Sequence, residues 1–536
     1  MKIKCRQCNF EILKEKSDNN YAICPNCGCY MNFQAEKRIS SIADNDSFCE
    51  WDNNLTFDKP MNNAAYSKKI FEVSTKCGLN EAIITGTIRI DGIPIAIGVM
   101  DTRFMMASMG FVVGEKVTRL FEKAKKKKLP VLLFCCSGGA RMQEGIISLM
   151  QMEKTASAIK QYSQKGLLYI SVLTDPTMGG VTASFATLAD IIIAEKDATI
   201  GFAGPRVIEQ NTGVKLPKNF QTANFQFEHG FVDSVVSREE MKTYISKIIR
   251  LHCNKGFKKR RKAYTQTKVQ NKLKNELGAW EIVKKARDIN RPTSLDYING
   301  IFKDFVELHG DRVFGDDHAV VGGIAKLYGM TVTVIGQQKG KKSIKDSIYR
   351  NWGMPSPSGF RKALRLMKYA EKFKHPIILF VDTIGAACGI DAEEQGQGFV
   401  IADILKEASA IKVPILSIIH GEGGSGGALA FSVANEIWIL ENAVYSILTP
   451  EGYASILWKD NSKAAKAAEE MKMTSEDLYK MKIVDKIYYE PNDLTLHTMD
   501  LLCRQLKEDI AEFISKYSVK SSKYITKNRH QRFRKF

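Results

Sequence analysis

Two stretches of the chain repeat one order of apolar and polar positions. In "GEKVTRLFEKAKKKKLPVLLFCCSGGARMQEG" (residues 114–145), apolar residues recur at helical spacing and Pro130 ends the helix. A buried apolar run and a glycine turn follow. "GFRKALRLMKYAEKFKHPIILFVDTIGAACG" (359–389) repeats this order with Pro376 in the matching place. Gly114 to Pro130 spans 16 residues and Gly359 to Pro376 spans 17.

The parallel extends further. "LLYISVLTDPTMGGVTASFATLADIIIAEKDATIGFAGP" and "PILSIIHGEGGSGGALAFSVANEIWILENAVYSILTP" each read as strand, glycine turn, small-residue helix, strand, and a segment ending in Pro. Gly139 to Gly180 spans 41 residues and Gly385 to Gly427 spans 42. A duplication of an α/β unit built from βαβ crossovers accounts for this. Neither half carries a G-x-x-x-x-G-K-[ST] phosphate loop or a dinucleotide fingerprint with its acidic partner.

The length of 536 residues allows two or three domains. The formal charge is +19, of which 17 lie in two acid-free segments: nine Lys or Arg in 254–275 and eight in 516–536. These are read as a basic linker and a solvated basic tail, with nucleic-acid contact as the sharper alternative. No apolar run reaches the length of a membrane span. The N-terminus leaves no room for a targeting peptide, so a cytoplasmic protein with no membrane association is expected.

Cys5, Cys8, Cys24 and Cys27 read C-x2-C-x15-C-x2-C, the spacing of a four-cysteine zinc ribbon. Four sulfurs leave no open position for water, which makes the expected Zn2+ structural. Cys29 is a spare thiol, and the scattered remaining cysteines fit a reducing compartment.

The glycine turns sit where strands end and helices begin. Glycine permits positive φ and close approach, and helix-start N–H groups lack intrahelical partners. Gly138, Gly139, Gly179 and Gly180 in one half, and Gly385, Ala386, Gly426 and Gly427 in the other, are the candidate oxyanion-binding residues. Close helix–strand packing is the competing explanation of those small residues. Ser137 has no His–Asp partner, and His309 and His420 read as structural. Backbone donors without acid–base side chains suit enolate formation, with the electrophile bringing its own base.

With these residues in hand, the sequence resembles the carboxyltransferase of bacterial acetyl-CoA carboxylase, its β and α subunits fused in that order. The β-type motifs include "CPNCGCYMNFQAEKRI", "SGGARMQEG", "TDPTMGGVTASFATLAD" and "EHGFVDSVV"; the α-type motifs include "ELHGDRVFGDD", "IGQQKG", "AEEQGQG", "GEGGSGGALA" and "LTPEGYASILWKD". The resemblance implies two tandem crotonase-type (ClpP/crotonase spiral) domains after the ribbon: 1–35 ribbon, 36–253 β-type, 254–275 linker, 276–515 α-type, 516–536 tail. It implies transfer of the carboxyl group of carboxybiotin, held on the biotin carboxyl carrier protein, to acetyl-CoA, giving malonyl-CoA for fatty acid synthesis. Biotin carboxylase is the implied further partner. One oxyanion hole would serve the thioester enolate and the other the biotin ureido oxygen. A homodimer of the fused chain is expected, with sites pairing a β-type and an α-type half. Alternatives are another acyl-CoA carboxyltransferase or decarboxylase, or a nucleic-acid-binding zinc-ribbon protein.

The chain departs from the family at "DTIGAACG", where D-T-P-G-A-Y-P-G is usual: Ile384, Ala387 and Cys388 replace Pro, Tyr and Pro. Asp391 and Gln395 also differ from the usual Gly and Arg. Loss of two fixed φ angles is expected to loosen this loop.

Overall fold

The computed structural model describes residues 2–13, 20–55, 64–253, 277–341 and 343–536. The chain forms two compact units, Met1–Arg250 and Leu251–Phe536. The division falls slightly ahead of the expected boundary at 253, and the basic linker 254–275 lies outside the described residues.

The first unit opens with a small hairpin, β1 (Lys2–Lys4) against antiparallel β2 (Glu11–Leu13). Cys5, Ile12, Ala22, Cys24 and Met31 form its own small core. A seven-stranded sheet follows in chain order: β3 (Cys49–Trp51), β4 (Ile83–Ile90), β5 (Ile93–Met100), β6 (Val131–Ser137), β7 (Tyr169–Thr177), β8 (Ile191–Glu195) and β9 (Ser234–Val236). The first three strands are antiparallel and the rest are parallel. Every residue of β6 is buried, as a strand covered on both faces requires. Helix α1 (Phe111–Lys127) buries Val113, Val117, Leu120, Phe121 and Ala124 at helical spacing and stops at Lys128 in the left-handed conformation. Helix α2 (Ile146–Ser163) leads into β7, and the single-turn α3 (Gly179–Thr182) follows it.

The second unit repeats the plan. Its sheet runs β10 (Lys303–Glu307), β11 (Val320–Leu327), β12 (Met330–Gln337), β13 (Ile377–Thr383), β14 (Ile415–Gly424), β15 (Glu436–Leu440) and β17 (Lys486–Tyr488), with β16 (Val444–Ser446) paired to β14. Helix α4 (Pro357–Phe373) precedes β13 and ends at left-handed Lys374. Helix α5 (Gln397–Ala410) precedes β14, and the single-turn α6 (Ser425–Leu429) follows it.

The two frames keep one register. Val131 pairs with Tyr169 and Ile377 with Ile415; Ser137 pairs with Thr177 and Thr383 with Gly423. All four correspondences lie 246 positions apart, as do Lys128 and Lys374. The left-handed triplets Met105–Met106–Ala107 and Asn351–Trp352–Gly353 show the same offset. Gly114 therefore stands opposite Phe360, not Gly359, because α1 and α4 are the same length and match end to end.

The C-terminal segment corrects the expectation of a solvated tail at 516–536. Helix α7 (Asp500–Ser518) runs into it, and α8 (Ser522–Phe533) buries Ile525, Arg529 and Arg532. Arg532 Nη1 binds Asp485 Oδ2 at 2.6 Å and Lys516 binds Glu436 at 2.7 Å. Positions 525, 529 and 532 share one helix face, so the segment docks through an apolar residue and two buried cations. Among the described residues, no helix is long and apolar enough to cross a membrane.

Candidate functional site

In the first unit the glycine turns close the ends of β6 and β7. Gly139 has φ 123°. Its N–H donates to Ser137 Oγ at 2.9 Å, and that hydroxyl donates back to Gly139 O at 3.1 Å. Gly138 N–H donates to Met106 O and Gly179 N–H to Phe202 O, each at 2.9 Å. Three of the four N–H groups singled out from the sequence are therefore occupied. Ala140 and Gly180 have none of these commitments: among the described residues, no acceptor engages the N–H of either. They adjoin, since a Cβ on Gly180 would lie 3.7 Å from Ala140 N. Gly138, Gly139 and Gly179 shape the turn, and a Cβ on Gly179 would stand 2.9 Å from Gly139 Cα.

Ala140 is fixed from both sides. Gly139 O accepts Met109 N–H at 2.9 Å, and Arg141 N–H donates to Met109 O at 2.8 Å. The fully buried Arg141 side chain spans Glu81 (2.6 Å) and Glu144 (3.1 Å) and donates to Ser108 O at 3.0 Å. Burial opposes its charge, yet the Glu81 carboxylate outweighs that and raises its pKa above the ordinary arginine value. Glu144 also accepts Phe111 N–H at 2.5 Å, tying the start of α1 to the same cluster. Sequence reasoning did not single out Ala140 or Arg141; both follow Gly139 directly in "SGGAR".

The second unit builds the counterpart. Gly385 N–H donates to Thr383 Oγ1 at 3.1 Å, and Thr383 Oγ1 donates to Gly385 O at 2.6 Å. Gly385 is thus occupied like Gly139. Among the described residues, the N–H groups of Ala386, Gly426 and Gly427 meet no acceptor. A Cβ on Gly427 would lie 2.5 Å from Ala386 N. The halves differ here by one residue: Gly179 and Ser425 share positive φ, whereas the glycine against the alanine N–H is Gly180 in one and Gly427 in the other. Helices α3 and α6 are one turn each, so what each turn can offer a ligand is its unengaged N–H groups rather than a helix dipole.

Behind this turn, Lys339 Nζ lies 2.6 Å from Asp382 and 3.1 Å from Glu422, and Arg287 Nε binds Glu422 at 2.7 Å. Asp382 also accepts Glu422 N–H at 2.9 Å. His420 is buried beside Ser294 Oγ (3.0 Å), and burial pulls its pKa down to about 4. It is a neutral packing residue. His309 pairs with Asp316 at 2.8 Å. The loop carrying Ile384, Ala387 and Cys388 is held by Gln397, whose Nε2 donates to Pro355 O (2.9 Å) and Ala387 O (3.0 Å). Cys388 is exposed.

The four ribbon cysteines converge, with all sulfurs within 4.8 Å of one another. Cys5–Cys27 and Cys8–Cys24 separations are 3.6 and 3.7 Å. Tetrahedral ligands about 2.3 Å from one ion lie about 3.8 Å apart, so the cluster fits a metal. The N–H groups of Cys8 and Gln7 pull the Cys5 thiol down, while burial and the neighbouring sulfurs push the Cys27 thiol up, so the four sulfurs share protons as one cluster. The ribbon also reaches toward the glycine turn: Arg6, between two of the cysteines, binds Asp175 near the end of β7 at 2.8 Å.

Known proteins share this architecture. Residues 231–536 match the model of a family described as acetyl co-enzyme A carboxylase carboxyltransferase-like. A protein of Natranaerobius thermophilus named acetyl-coenzyme A carboxylase carboxyl transferase subunits beta/alpha is 50% identical over 99% of this chain and 90% of its own. One of Clostridium tetani with the same name is 51% identical over 99% of this chain and 92% of its own. The transcarboxylase 12S crystal structure, with methylmalonyl-coenzyme A and methylmalonic acid bound, superposes with TM-score 0.71 at 20% identity, covering 91% of this chain and 90% of that one. A single-chain, multi-domain long-chain acyl-CoA carboxylase gives TM-score 0.67 at 18% identity, covering 89% of this chain and 46% of that one. The tandem crotonase-type α/β fold expected from the sequence is the fold of these neighbours. By sequence over its whole length, this chain belongs to the acetyl-coenzyme A carboxylase carboxyl transferase family in its fused beta/alpha form.

Proposed function

We propose that the chain transfers a carboxyl group from carboxybiotin, presented by the biotin carboxyl carrier protein, to the methyl carbon of acetyl-CoA. The observation that supports this most is the pair of repeated turns, each offering adjoining unengaged N–H donors, while the carboxylates behind the second turn, Asp382 and Glu422, are already paired with Lys339 and Arg287. Carboxybiotin supplies both the CO2 equivalent and the ureido nitrogen that accepts the acetyl proton. The C–N bond to the carboxyl group breaks, the C–C bond of malonyl-CoA forms, and the proton ends on that nitrogen. The Ala140 and Gly180 N–H groups hold one developing oxyanion, and Ala386 with Gly426 or Gly427 holds the other. Donors fixed before the reaction lower the barrier without reorganising, and each is worth roughly 3–4 kcal/mol. Gly138, Gly139, Gly179 and Gly385 keep those donors in place.

The cysteine cluster holds one structural Zn2+, which closes the ribbon over Cys5, Cys8, Cys24 and Cys27. The chain works as a cytoplasmic homodimer with carrier protein and biotin carboxylase as partners; light scattering tests the stoichiometry. Malonyl-CoA decarboxylation in the presence of biotin, with acetyl-CoA as product, tests the activity. No turnover by zinc-replete protein, or turnover only with a different acyl-CoA, refutes the assignment.

A further inference from the structure

Six arginines are buried among the described residues, and five lie against a carboxylate: Arg38 and Arg238 on Glu195, Arg141 on Glu81, Arg291 on Glu490 and Arg532 on Asp485. Arg529, on α8, is the exception. It is 0% exposed, and its guanidinium donates to Ala408 O (2.9 Å), Ile411 O (2.7 Å), Val413 O (2.9 Å) and Asn435 Oδ1 (2.8 Å). Every one of these acceptors is neutral, and Arg529 Nε has no partner. The carbonyl end of α5 offers a partial charge of roughly half an electron, and the Glu371 carboxylate favours the cation through space without a direct ion pair. Burial lowers its pKa to about 10.

Beside Arg529 opens a cavity of about 280 Å3, near the ~300 Å3 lower end for small-ligand sites. Leu405, Leu429, Val433 and Phe533 give it apolar walls, and no carboxylate lines it. Arg534 and His530 stand exposed at its margin, and among the described residues neither side chain has a hydrogen-bond or ion-pair partner. Apolar walls, the free Arg534 guanidinium with the His530 imidazole beside it, and a buried arginine with no carboxylate in direct contact define one class of ligand.

We propose that this cavity binds a free medium-chain fatty carboxylate, its alkyl chain against Leu405, Leu429, Val433 and Phe533 and its carboxylate beside Arg534, His530 and Arg529. Leu429 is also the last residue of α6, the turn that carries Gly426 and Gly427. The cavity shares Leu429 with that turn but is lined by none of its glycines, and its occupancy is read by binding alone, whatever the transfer assay shows.

Isothermal titration of the full chain with decanoate, octanoate, decanol and acetate, all below micellar concentrations, tests this. Decanoate should saturate at one site per chain. Octanoate should bind roughly 10- to 20-fold more weakly, since each buried methylene is worth about fourfold in affinity. Decanol should bind at least tenfold more weakly than decanoate, and acetate not at all. Arg534→Glu, at an exposed position, should weaken decanoate at least fivefold, and Leu405→Trp should fill the cavity and abolish binding with an unchanged circular dichroism spectrum. No saturable decanoate binding, equal binding of decanol, or decanoate binding indifferent to both Arg534→Glu and Leu405→Trp overturns the proposal. A change of oligomeric state in Leu405→Trp also overturns it, by making the cavity a seat for a second copy of the chain.

Discussion

Ser137 Oγ and Gly139 exchange two hydrogen bonds, accepting the Gly139 N–H at 2.9 Å and donating to its carbonyl at 3.1 Å. Thr383 and Gly385 repeat the arrangement in the second half. A hydroxyl is the group that can do both at once. It fixes the peptide leading into Ala140 or Ala386, which under the proposed function makes these hydroxyls positioning groups for the donors. Ser137→Ala and Thr383→Ala should each lower malonyl-CoA decarboxylation at least tenfold. Thr383→Ser, which keeps the hydroxyl, should stay within about threefold of the parent. Wild-type rates in both alanine variants would remove the hydroxyls from any positioning role.

The glycine contacts predict unequal tolerance. A methyl at Gly427 would sit 2.5 Å from Ala386 N, whereas one at Gly180 meets nothing closer than the flexible Met152 sulfur at 3.2 Å. Gly427→Ala should cost on the order of 100-fold in transfer. Gly180→Ala should cost far less, and Gly180→Val, with its branched bulk over Ala140, should match Gly427→Ala. Steady-state rates on proteins of matched circular dichroism check the ranking. Equal tolerance of Ala at both positions would contradict it.

Removing a ribbon cysteine should unfold the ribbon before it changes the chemistry. Cys24→Ser is expected to lose the metal found by mass spectrometry in parent protein purified without chelator. Its Arg6–Asp175 contact should go with it, seen as faster amide exchange around β1, β2 and the end of β7. A parent protein without zinc, or a Cys24→Ser variant that retains it, would refute the metal assignment.

His420 makes stability depend on pH. Its folded pKa, about 4, lies below the ordinary 6.5, so the folded chain binds fewer protons than the unfolded chain between those values. Its contribution is complete above pH 6.5 and is lost as pH falls toward 4, at up to about 1.4 kcal/mol per pH unit. Urea midpoints measured at pH 7.0 and 5.0 should differ more for the parent than for His420→Gln. An identical drop in both would assign the acid sensitivity elsewhere.

The repeat was legible because its markers are local. Pro130 and Pro376, the apolar runs behind them and the glycines after them each have one common backbone meaning. The donors were less legible. Gly138 looks like a donor until Met106, in a left-handed triplet without a single glycine, places a carbonyl on it. Nothing in "FMMAS" announces that conformation. Ala140 and Arg141 were hidden for a related reason: an alanine does not signal a free N–H, and the carboxylates that bury Arg141 lie at 81 and 144. The C-terminal helix escaped because arginines fill two places of its inward stripe, where a pattern of apolar residues is sought.

The offset of 246 positions runs from the left-handed triplets through the paired strand ends to positive-φ Gly179 and Ser425, yet the glycine against the alanine N–H is Gly180 in one half and Gly427 in the other. The offset falls to 245 only at the next strand, where Ile191 corresponds to Glu436. Two copies that keep one backbone course thus close it on different glycines, so a substitution at Gly180 and its counterpart 246 positions on, Gly426, need not have the same effect.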